Sequence, residues 1–306
     1  LPPGEIEGYK RLLQAARKER HQQMFELVQF NRTADLLAEK FGTKGLPISL
    51  STACASGATA VQLGVEAIRR GETDTALCIG TDGSVTTEAL IRFSLLSALT
   101  TQNENPTKAA KPFSKDRDGF VMAEGAGALV LESLESAQRR GAPVLATIRG
   151  CGEKADHFHR TRSSPDGSPV ISAVNRALED AAVSSDEIDY INAHGTSTPE
   201  NDRMEYNSLK EVFGDAIHQI PISSNKSMIG HTLTAAGAIE AVFSVLTLQH
   251  GCIPPTINYD TPDPDIPLDV VPNTARQAKV NNILSNSFGF GGQNACLVLS
   301  NEITLL

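Results

Sequence analysis

A cysteine within a run of small residues is the first candidate for chemistry in this sequence. Cys54 lies in the stretch STACASGATA, residues 51–60. The apolar residues 46–50 predict a short buried strand before it, and the apolar spacing of residues 60–70 predicts a helix after it. A thiol at a helix start faces unpaired N–H groups and the positive end of the helix dipole, which favour the thiolate. Cys54 is therefore a candidate nucleophile, with a buried structural cysteine as the alternative.

Two later stretches place polar groups where a substrate could meet them. His194 lies at the carboxyl end of a predicted strand, residues 188–193, where open α/β sheets gather their ligands. Lys226 and His231 share a polar loop. Glu240 lies on the apolar helix that follows and would need a cation there, for which Lys226 is the candidate.

A glycine-rich stretch near the carboxyl end, NSFGFGGQN at residues 286–294, could direct backbone N–H groups at an oxyanion. A plain hairpin turn is the alternative, and a lone histidine is more often structural than catalytic. In combination, these residues supply a nucleophile, two neutral donors, a fixed cation and an anion hole. The combination predicts a site that handles thioesters.

The elements that must position these residues alternate between strands and helices. Strands are predicted at 75–83, 145–148, 188–193, 282–285 and 295–300, and helices at 60–70, 170–182, 201–213 and 235–249. This alternation predicts an α/β fold with buried mixed sheets. A second unit begins near Pro143, so we expect one domain over 1–142, with the nucleophile, and another over 143–306, with both histidines and the lysine.

The composition of the chain limits the cellular compartments and the kinds of binding partner that we expect. The 306 residues are 40% hydrophobic and include five well-separated cysteines without a CxxC pair, so a disulfide framework and a zinc site are not indicated. A cytoplasmic protein without a membrane span is expected. The net charge of -9 argues against non-specific nucleic-acid binding. His157 and His159 form an HxH pair, but no third ligand is suitably spaced, and no metal is predicted.

Four motifs taken together point to a family. STACASG, NAHGTSTP, NKSMIGH and NSFGFGG occur in this order, with 140, 32 and 5 positions separating Cys54, His194, Lys226 and His231. They closely resemble the β-ketoacyl-acyl-carrier-protein synthases of the elongating, two-histidine class, in the thiolase superfamily. The resemblance implies a thiolase-like fold, with two duplicated halves, a mixed five-stranded sheet in each, and αβαβα layers. It also implies a homodimer in which the strand before Cys54 pairs across the dimer axis.

The activity implied by this resemblance is that of a 3-oxoacyl-acyl-carrier-protein synthase in fatty-acid synthesis. Cys54 would take an acyl chain from the phosphopantetheine arm of an acyl carrier protein. His194 and His231 would stabilise the enolate formed when malonyl-carrier loses carbon dioxide, and the carbanion would attack the acyl group on Cys54. No bound cofactor is implied, because the carrier's phosphopantetheine holds the substrates.

The same resemblance implies roles for further residues. It implies an oxyanion hole from the backbone N–H groups of Cys54 and Phe290, a gate at Gly289 and Phe290, pantetheine contacts from Thr196 and Thr198, and structural support from Glu240. For Thr198, which precedes Pro199, the start of a helix is the alternative role.

The sequence departs from the family pattern in two places. Relatives carry substantially more residues before the nucleophile, where this chain has 53, so we expect the first half to lack its opening strands and to leave an unpaired sheet edge and exposed apolar surface. Ser97 and Gln102 stand where bacterial relatives tend to carry arginine near the carrier-docking rim. Basic residues that could replace that charge, for the usual carrier or a specialised one, are Arg17, Lys18, Arg20, Arg160 and Arg162.

Three other functions compete with this reading. A stand-alone polyketide-type ketosynthase would use the same residues. A non-catalytic partner subunit, similar to the chain-length factors of aromatic polyketide systems, would lack the nucleophile, so Cys54 and the two histidines argue against it. A thiolase would need a second catalytic cysteine near the carboxyl end, and Cys296 lies in a predicted apolar strand.

Overall fold

The computed structural model describes residues 3–17, 25 and 29–303. The chain separates into two compact units, residues 1–51 and 52–306. The first unit contains helices α1 (Pro3–Arg17) and α2 (Phe30–Phe41). Helix α2 ends at Gly42, whose φ of 65° is the left-handed conformation that glycine adopts at helix ends. Of the predicted docking residues, Arg17 ends α1, whereas Lys18 and Arg20 lie outside the described residues.

The segment before Cys54 is not the buried strand that its apolar residues predict. Residues 46–50 form no strand, and Leu46 and Ile48 are 93% and 72% exposed. A strand needs a neighbouring chain to accept and donate its backbone hydrogen bonds. Among the described residues no strand pairs with this segment, so the prediction is wrong for this chain.

The second unit opens with a layer of helices on a small sheet. Its elements are α3 (Ser56–Arg69), β1 (Thr75–Asp82), α4 (Thr87–Leu95), a 3₁₀ turn (Pro106–Lys108), β2 (Gly125–Glu132) and α5 (Leu134–Arg139). Strands β1 and β2 pair antiparallel, from Thr75 with Glu132 to Asp82 with Gly125. The resemblance predicted a five-stranded sheet for the first half, residues 1–142. In the described residues of that half the sheet has two strands. Leu77 and Val130, cross-strand partners, are exposed, which confirms the expected exposed apolar surface.

A five-stranded mixed sheet forms the centre of the remainder, as predicted for this half. Its elements are β3 (Thr147–Ala155), α6 (Ser168–Ala181), β4 (Tyr190–Asn192), α7 (Pro199–Phe213), β5 (Ile222–Ser223), α8 (Lys226–Ile229), α9 (Ala236–His250), β6 (Cys252–Ile253), β7 (Arg276–Gln277), β8 (Asn282–Gly289) and β9 (Gln293–Ser300), with 3₁₀ turns at Ser185–Glu187, Gly214–His218 and Leu233–Ala235. The strand order is β3-β9-β8-β4-β5. Strands β3, β9 and β8 pair antiparallel, and β8, β4 and β5 pair parallel.

Helices α3 and α9 approach closely because glycines lie where they cross. A Cβ atom on Gly57 would lie 2.3 Å from the backbone nitrogen of Ala238. A Cβ atom on Gly237 would lie 2.5 Å from the backbone nitrogen of Ala58. Only glycine permits such backbone contact, and the contact holds the helix that follows Cys54 against the helix that carries Glu240.

The predicted boundary between residues 142 and 143 lies inside the second compact unit and stays a prediction. None of the helices described is both long enough and apolar enough to cross a bilayer.

Candidate active site

Cys54 lies in a tight turn, two residues before α3 begins. Ala53 has a φ of 48°, in the left-handed region that non-glycine residues seldom adopt. The turn is closed by hydrogen bonds from the N–H of Ala55 to the carbonyl of Thr52 and from the N–H of Ser56 to the carbonyl of Ala53, both 3.1 Å. The Ser56 hydroxyl also accepts the N–H of Thr52 at 2.9 Å. Backbone strain of this kind is common at functional sites.

The thiol of Cys54 meets two of the residues that the sequence assigned to the same site. Its Sγ lies 3.1 Å from Nε2 of His231, and the backbone N–H of Phe290 donates to the sulfur. Residue numbers 54, 231 and 290 are far apart in the chain, so only the packing of α3, α8 and the β8–β9 hairpin brings them together. The arrangement gives the thiol a proton acceptor on one side and a hydrogen-bond donor on another.

Burial makes Cys54 a neutral thiol in this structure. It raises the pKa of Cys54 to about 11, and the opposing effects of the Lys226 charge and the Phe290 N–H are smaller. The sequence predicted that the helix start would favour the thiolate, and here that prediction is wrong because desolvation dominates. If Cys54 acts as a nucleophile, its proton must first leave, and the adjacent acceptor is Nε2 of His231, 3.1 Å away.

Both histidines are buried and neutral. The rings of His194 and His231 meet edge to face with their centroids 5.4 Å apart. The pKa of each lies well below 6.5, chiefly because burial disfavours the imidazolium and secondly because Lys226 repels it. This agrees with the predicted neutral state of both rings, in which burial has a larger effect than the lysine, whereas their role as hydrogen-bond donors stays a prediction.

Lys226 orients His194 and is itself held by Glu240. Its Nζ donates to the backbone carbonyl of His194 at 2.6 Å and lies 3.5 Å from Nδ1 of that ring. An ammonium group can only donate, so Nδ1 of His194 is unprotonated and the ring proton is on Nε2. Lys226 forms a buried ion pair with Glu240, the pairing that the sequence suggested. Burial raises the pKa of Glu240, and the Lys226 charge opposes that rise.

Glu205, which the sequence analysis missed, fixes the backbone of the histidine loop. Its buried carboxylate accepts the N–H groups of His194 at 2.9 Å and Gly195 at 2.8 Å. It also accepts Nδ2 of Asn286, on β8, at 3.1 Å. One signal in the sequence could have identified Glu205. It lies four residues before Leu209 on α7, and this spacing places its carboxylate on the buried face of an amphipathic helix.

A second buried ion network, also missed, holds the loop before β2. Arg117 lies 2.7 Å from Asp263 and 3.4 Å from Asp202, measured between nitrogen and oxygen. Asp202, on α7, also accepts the N–H of Phe113 at 2.8 Å. Arg117 lies in the stretch KDRDGF, residues 115–120. It links this loop to the start of α7, next to residues 194–198.

Thr196 and Thr198, the predicted pantetheine contacts, lie side by side. Their hydroxyl oxygens are 2.9 Å apart. Thr198 is also the N-cap of α7, since its Oγ1 accepts the N–H of Asn201 at 3.3 Å and Pro199 is the first helical residue. The alternative role of starting a helix is therefore present, and the pantetheine role stays a prediction.

The glycine-rich turn joins β8 to β9 and lies against the cysteine turn. A Cβ atom on Gly289 would lie 2.5 Å from the carbonyl oxygen of Thr52 and 3.2 Å from the nitrogen of Cys54. Phe290 packs in a cluster with Cys54 and Phe120. The close approach requires glycine at 289 and sets the Phe290 N–H beside the thiol, whereas gating by Phe290 stays a prediction.

The remaining candidates lie at the surface. Arg160 and Arg162 are exposed on the loop between β3 and α6. On the same loop, Nδ1 of His159 accepts the N–H of Thr161 at 3.2 Å. In the described ranges no group of three or more His, Cys, Asp or Glu residues could hold a metal ion, and a reaction without a metal stays a prediction.

Several buried side-chain oxygens on β4, β8 and α9, and one on Asn225 directly before α8, have no hydrogen-bond partner in the part of the chain that the structure describes. They are Asn192 Oδ1, Asn225 Oδ1, Glu240 Oε2, Asn282 Oδ1, Asn286 Oδ1 and Ser287 Oγ. Side-chain oxygens of this type are the atoms that ordered waters and hard cations use as partners. Each of these atoms is therefore suited to accept a hydrogen bond from an ordered water.

Comparison with protein families gives two adjacent matches. Residues 5–137 match the model described as beta-ketoacyl synthase, N-terminal domain. Residues 145–260 match the model described as beta-ketoacyl synthase, C-terminal domain. Together the matches cover most of the chain, including Cys54, His194, Lys226 and His231.

Two curated relatives are equally similar to the chain. The 3-oxoacyl-[acyl-carrier-protein] synthase 2 of Coxiella burnetii is 42% identical over 88% of this chain and 65% of its own length. The tetracenomycin polyketide synthase ketoacyl synthase alpha subunit of Streptomyces glaucescens is 42% identical over 86% of this chain and 62% of its own. The chain thus spans somewhat less than two thirds of the length of these relatives.

Solved structures show the same fold. One, described as a type II polyketide synthase acyl-carrier protein in complex with its ketosynthase bound to the hexaketide, contains a chain that matches with a TM-score of 0.88 and 39% identity over 90% of this chain and 68% of that one. A beta-ketoacyl synthase from Burkholderia phymatum matches with a TM-score of 0.84 and 38% identity over 88% of this chain and 65% of that one. The fold is thiolase-like, as predicted, and the chain belongs to the β-ketoacyl synthase family.

Proposed function

We propose that the protein is a 3-oxoacyl-acyl-carrier-protein synthase, an acyltransferase that extends a fatty acyl chain by two carbons. The observation that carries the proposal is the Cys54 thiol placed 3.1 Å from Nε2 of His231 and beside the Phe290 N–H. Relatives named 3-oxoacyl-[acyl-carrier-protein] synthase 2, from Coxiella burnetii and Staphylococcus aureus, support it at 42% and 45% identity.

In the first half-reaction the acyl group moves to Cys54. The sulfur attacks the carbonyl carbon of the acyl thioester while its proton passes to Nε2 of His231. The backbone N–H groups of Cys54 and Phe290 stabilise the oxyanion, each by roughly 3 to 4 kcal/mol as in other enzymes. The carbon–sulfur bond to the carrier then breaks, and the departing pantetheine thiolate takes the proton from His231.

In the second half-reaction the malonyl thioester loses carbon dioxide. The Nε2–H groups of His194 and His231 donate to its thioester carbonyl and stabilise the enolate. The enolate carbon attacks the carbonyl carbon on Cys54, a carbon–carbon bond forms, and the cysteine sulfur leaves as a thiolate that takes a proton from water. In the described residues Nδ1 of His231 has no hydrogen-bond partner. The neutral ring therefore carries its proton on Nδ1 while Nε2 accepts the thiol proton, and between the half-reactions it changes tautomer by exchange with water, so that the proton lies on Nε2 when the enolate forms.

The substrates and the assembly belong to the same proposal. The phosphopantetheine arm of an acyl carrier protein delivers both acyl groups along Thr196 and Thr198, and no other cofactor takes part. A solved relative described as a ketosynthase in complex with its acyl-carrier protein supports this partner. A homodimer and a cytoplasmic location complete the proposal.

A polyketide ketosynthase is the second candidate function. It is favoured by the similarity to the tetracenomycin ketoacyl synthase alpha subunit, which equals the similarity to the Coxiella relative at 42% identity. The two candidates differ in the number of condensations without intervening reduction. Release of a product after one condensation would support the fatty-acid reading, and a chain with several unreduced ketones would support the polyketide reading.

Mass spectrometry of the full-length protein with a panel of acyl-carrier thioesters tests the proposal directly. We expect an acyl adduct on the peptide that contains Cys54, no adduct in Cys54→Ser, and a 3-oxoacyl product once malonyl-carrier is added. A folded protein that gains no adduct from any carrier would contradict the catalytic proposal and favour a non-catalytic partner subunit.

A further inference from the structure

Asp82, the last residue of β1, connects two separate segments of the chain through its two carboxylate oxygens. Oδ2 accepts the backbone N–H of Thr234 at 3.2 Å and lies 2.7 Å from the hydroxyl oxygen of the same residue. Oδ1 accepts the N–H of Ser84 at 3.0 Å and also the Ser84 hydroxyl. One half-buried side chain therefore joins β1 to the 3₁₀ turn before α9 and to the loop before α4.

The turn held by Oδ2 comes directly after His231. Residues 232–235 separate His231 from α9. The hydroxyl oxygen of Thr234 also lies 2.8 Å from the carbonyl oxygen of Thr81, the residue before Asp82. The end of β1 therefore fixes the chain three residues after the histidine.

Leu233, between the histidine and this anchor, has a strained backbone. Its φ is 47°, in the left-handed region that residues other than glycine seldom adopt. Such a conformation costs on the order of 1–3 kcal/mol and persists only where the surrounding structure holds it. On the carboxyl side of Leu233, the hydrogen bonds between Thr234 and Asp82 supply that restraint. Without them the turn can relax, and His231, two residues before Leu233, moves with it.

A second restraint acts on the backbone of His231 itself. Its N–H donates to the carbonyl of Val121 at 2.7 Å, and its carbonyl accepts the N–H of Ala123 at 3.0 Å. These bonds fix the two peptide groups of the histidine, and the turn held by Asp82 fixes the direction in which the chain leaves it. With both restraints in place, Nε2 of the ring lies 3.1 Å from the Cys54 thiol.

The other oxygen of Asp82 restrains the segment that leads into α4. The N–H of Thr86 donates to the carbonyl of Ser84 at 2.7 Å, and Thr86 is the N-cap of α4. Phe93, on α4, packs against the same apolar cluster as Cys54. The single carboxylate thus holds two segments that lead to residues around the thiol.

The charge of Asp82 also acts on Cys54, in the direction opposite to activation. Burial has the largest effect in raising the pKa of Cys54, and the charges of Glu240 and Asp82 add to that rise. Loss of the Asp82 charge therefore favours the thiolate. A slower reaction after removal of this carboxylate would come from altered geometry and not from the charge state of the thiol.

We propose that Asp82 is a positioning residue for the reaction at Cys54. Through Thr234 it holds the strained turn after His231, and so it keeps Nε2 of that ring against the thiol. A displacement of about 1 Å at a reacting group can lower a rate by about 10²-fold. The inference rests on the proposed function, because that function assigns His231 its part in both half-reactions.

The alternative role for Asp82 is to cap the start of α9 and stabilise the fold without affecting the reaction. The test separates the two roles by measuring rate and stability on the same variants of the full-length protein. The variants are Asp82→Ala, Thr234→Val, which loses the hydroxyl, Thr234→Ser, which keeps it, and Asp82→Ala/Thr234→Val. Asp74→Ala is the matched control, at an exposed carboxylate directly before the same strand.

The readouts are kcat and KM for condensation, the single-turnover rate of Cys54 acylation, and the free energy of unfolding in urea. We expect Asp82→Ala to lower kcat and the acylation rate by at least about tenfold, with KM within about twofold of the parent value, because Asp82 acts through His231. Thr234→Val should lower both rates as well, whereas Thr234→Ser and Asp74→Ala should retain them. The double variant should be no slower than the slower single variant, because both substitutions break one contact.

A folded Asp82→Ala protein with parent rates and a lower free energy of unfolding would overturn the positioning role and leave the helix cap. If Asp82→Ala does not fold, the two Thr234 variants decide the question, and equal rates for valine and serine would overturn the proposal. Failure of the parent protein to be acylated would instead contradict the proposed function, and this inference with it.

Discussion

The ammonium group of Lys226 donates to the backbone carbonyl of His194 at 2.6 Å and lies 3.5 Å from Nδ1 of the same residue. One cation thereby fixes both the backbone of His194 and its tautomer, with the ring proton on Nε2, the atom from which the proposed mechanism requires it to donate. The same cation is paired with the buried Glu240. Lys226 therefore keeps the ring proton of His194 on Nε2.

Replacing Lys226 by methionine should shift the acid limb of the pH–rate profile. Lys226 contributes to keeping the pKa of His194 and His231 below 6.5, so its removal raises both values toward the ordinary one. Protonated histidines cannot stabilise the enolate in the same way, and activity should then fall at a higher pH than in the parent protein. We expect a loss of about 10²-fold in turnover at pH 7, with Lys226→Arg retaining the parent's acid limb. Identical acid limbs in the two variants, measured from pH 5.5 to 8.5, would contradict the role of the cation.

Alkylation of Cys54 by iodoacetamide should accelerate with pH well beyond neutrality. Burial raises the pKa of this thiol to about 11, and the thiolate is the species that reacts. The rate, followed by mass spectrometry of the Cys54 peptide, should rise without a plateau between pH 7 and pH 10. Alkylation of an exposed model thiol by iodoacetamide provides the reference, with its half-maximal rate near pH 8.5. A plateau for Cys54 below pH 8 would show that the thiolate is stabilised after all.

Truncation of Glu205 to alanine should destabilise the fold strongly. Three buried donors, the N–H groups of His194 and Gly195 and the amide of Asn286, lose their acceptor. Each unsatisfied buried group costs about 1–3 kcal/mol, so we expect a loss of at least 3 kcal/mol in the free energy of unfolding, measured with urea. Glu211→Ala, at an exposed position of the same helix, should change it by no more than about 0.5 kcal/mol. Equal effects of the two substitutions would rule out this role for Glu205.

Alanine at Gly289 should impair catalysis through the oxyanion hole. The added Cβ would lie 2.5 Å from the Thr52 carbonyl and 3.2 Å from the Cys54 nitrogen, so the hairpin must move away from the thiol. Loss of one oxyanion donor lowers turnover by about 10²–10³-fold, which we expect in steady-state condensation assays. Gly83→Ala, where a Cβ would meet nothing within 4 Å, is the matched control. Full activity of the Gly289 variant would show that the Phe290 N–H is not needed.

The sequence by itself determined the helix after Cys54 and the strands β8 and β9. It also determined which residues form the candidate site, namely Cys54, His194, Lys226 and His231. Apolar spacing reports which face of an element is buried, and the polar residues follow strands whose carboxyl ends meet at one sheet edge. Even the Lys226–Glu240 pair was foreseeable, because a carboxylate on an apolar helix requires a cation.

Only the tertiary structure decided what surrounds each of these groups. The pKa of Cys54 depends on how completely the β8–β9 hairpin and residues 120 and 231 cover it, and local spacing carries no information on that burial. The partners of Arg117 and Glu205 lie up to 146 positions away, at Asp263 and Asn286 among others. Residues 46–50 have the apolar composition of a strand but stay exposed, because strand formation depends on a neighbouring chain that composition alone does not provide.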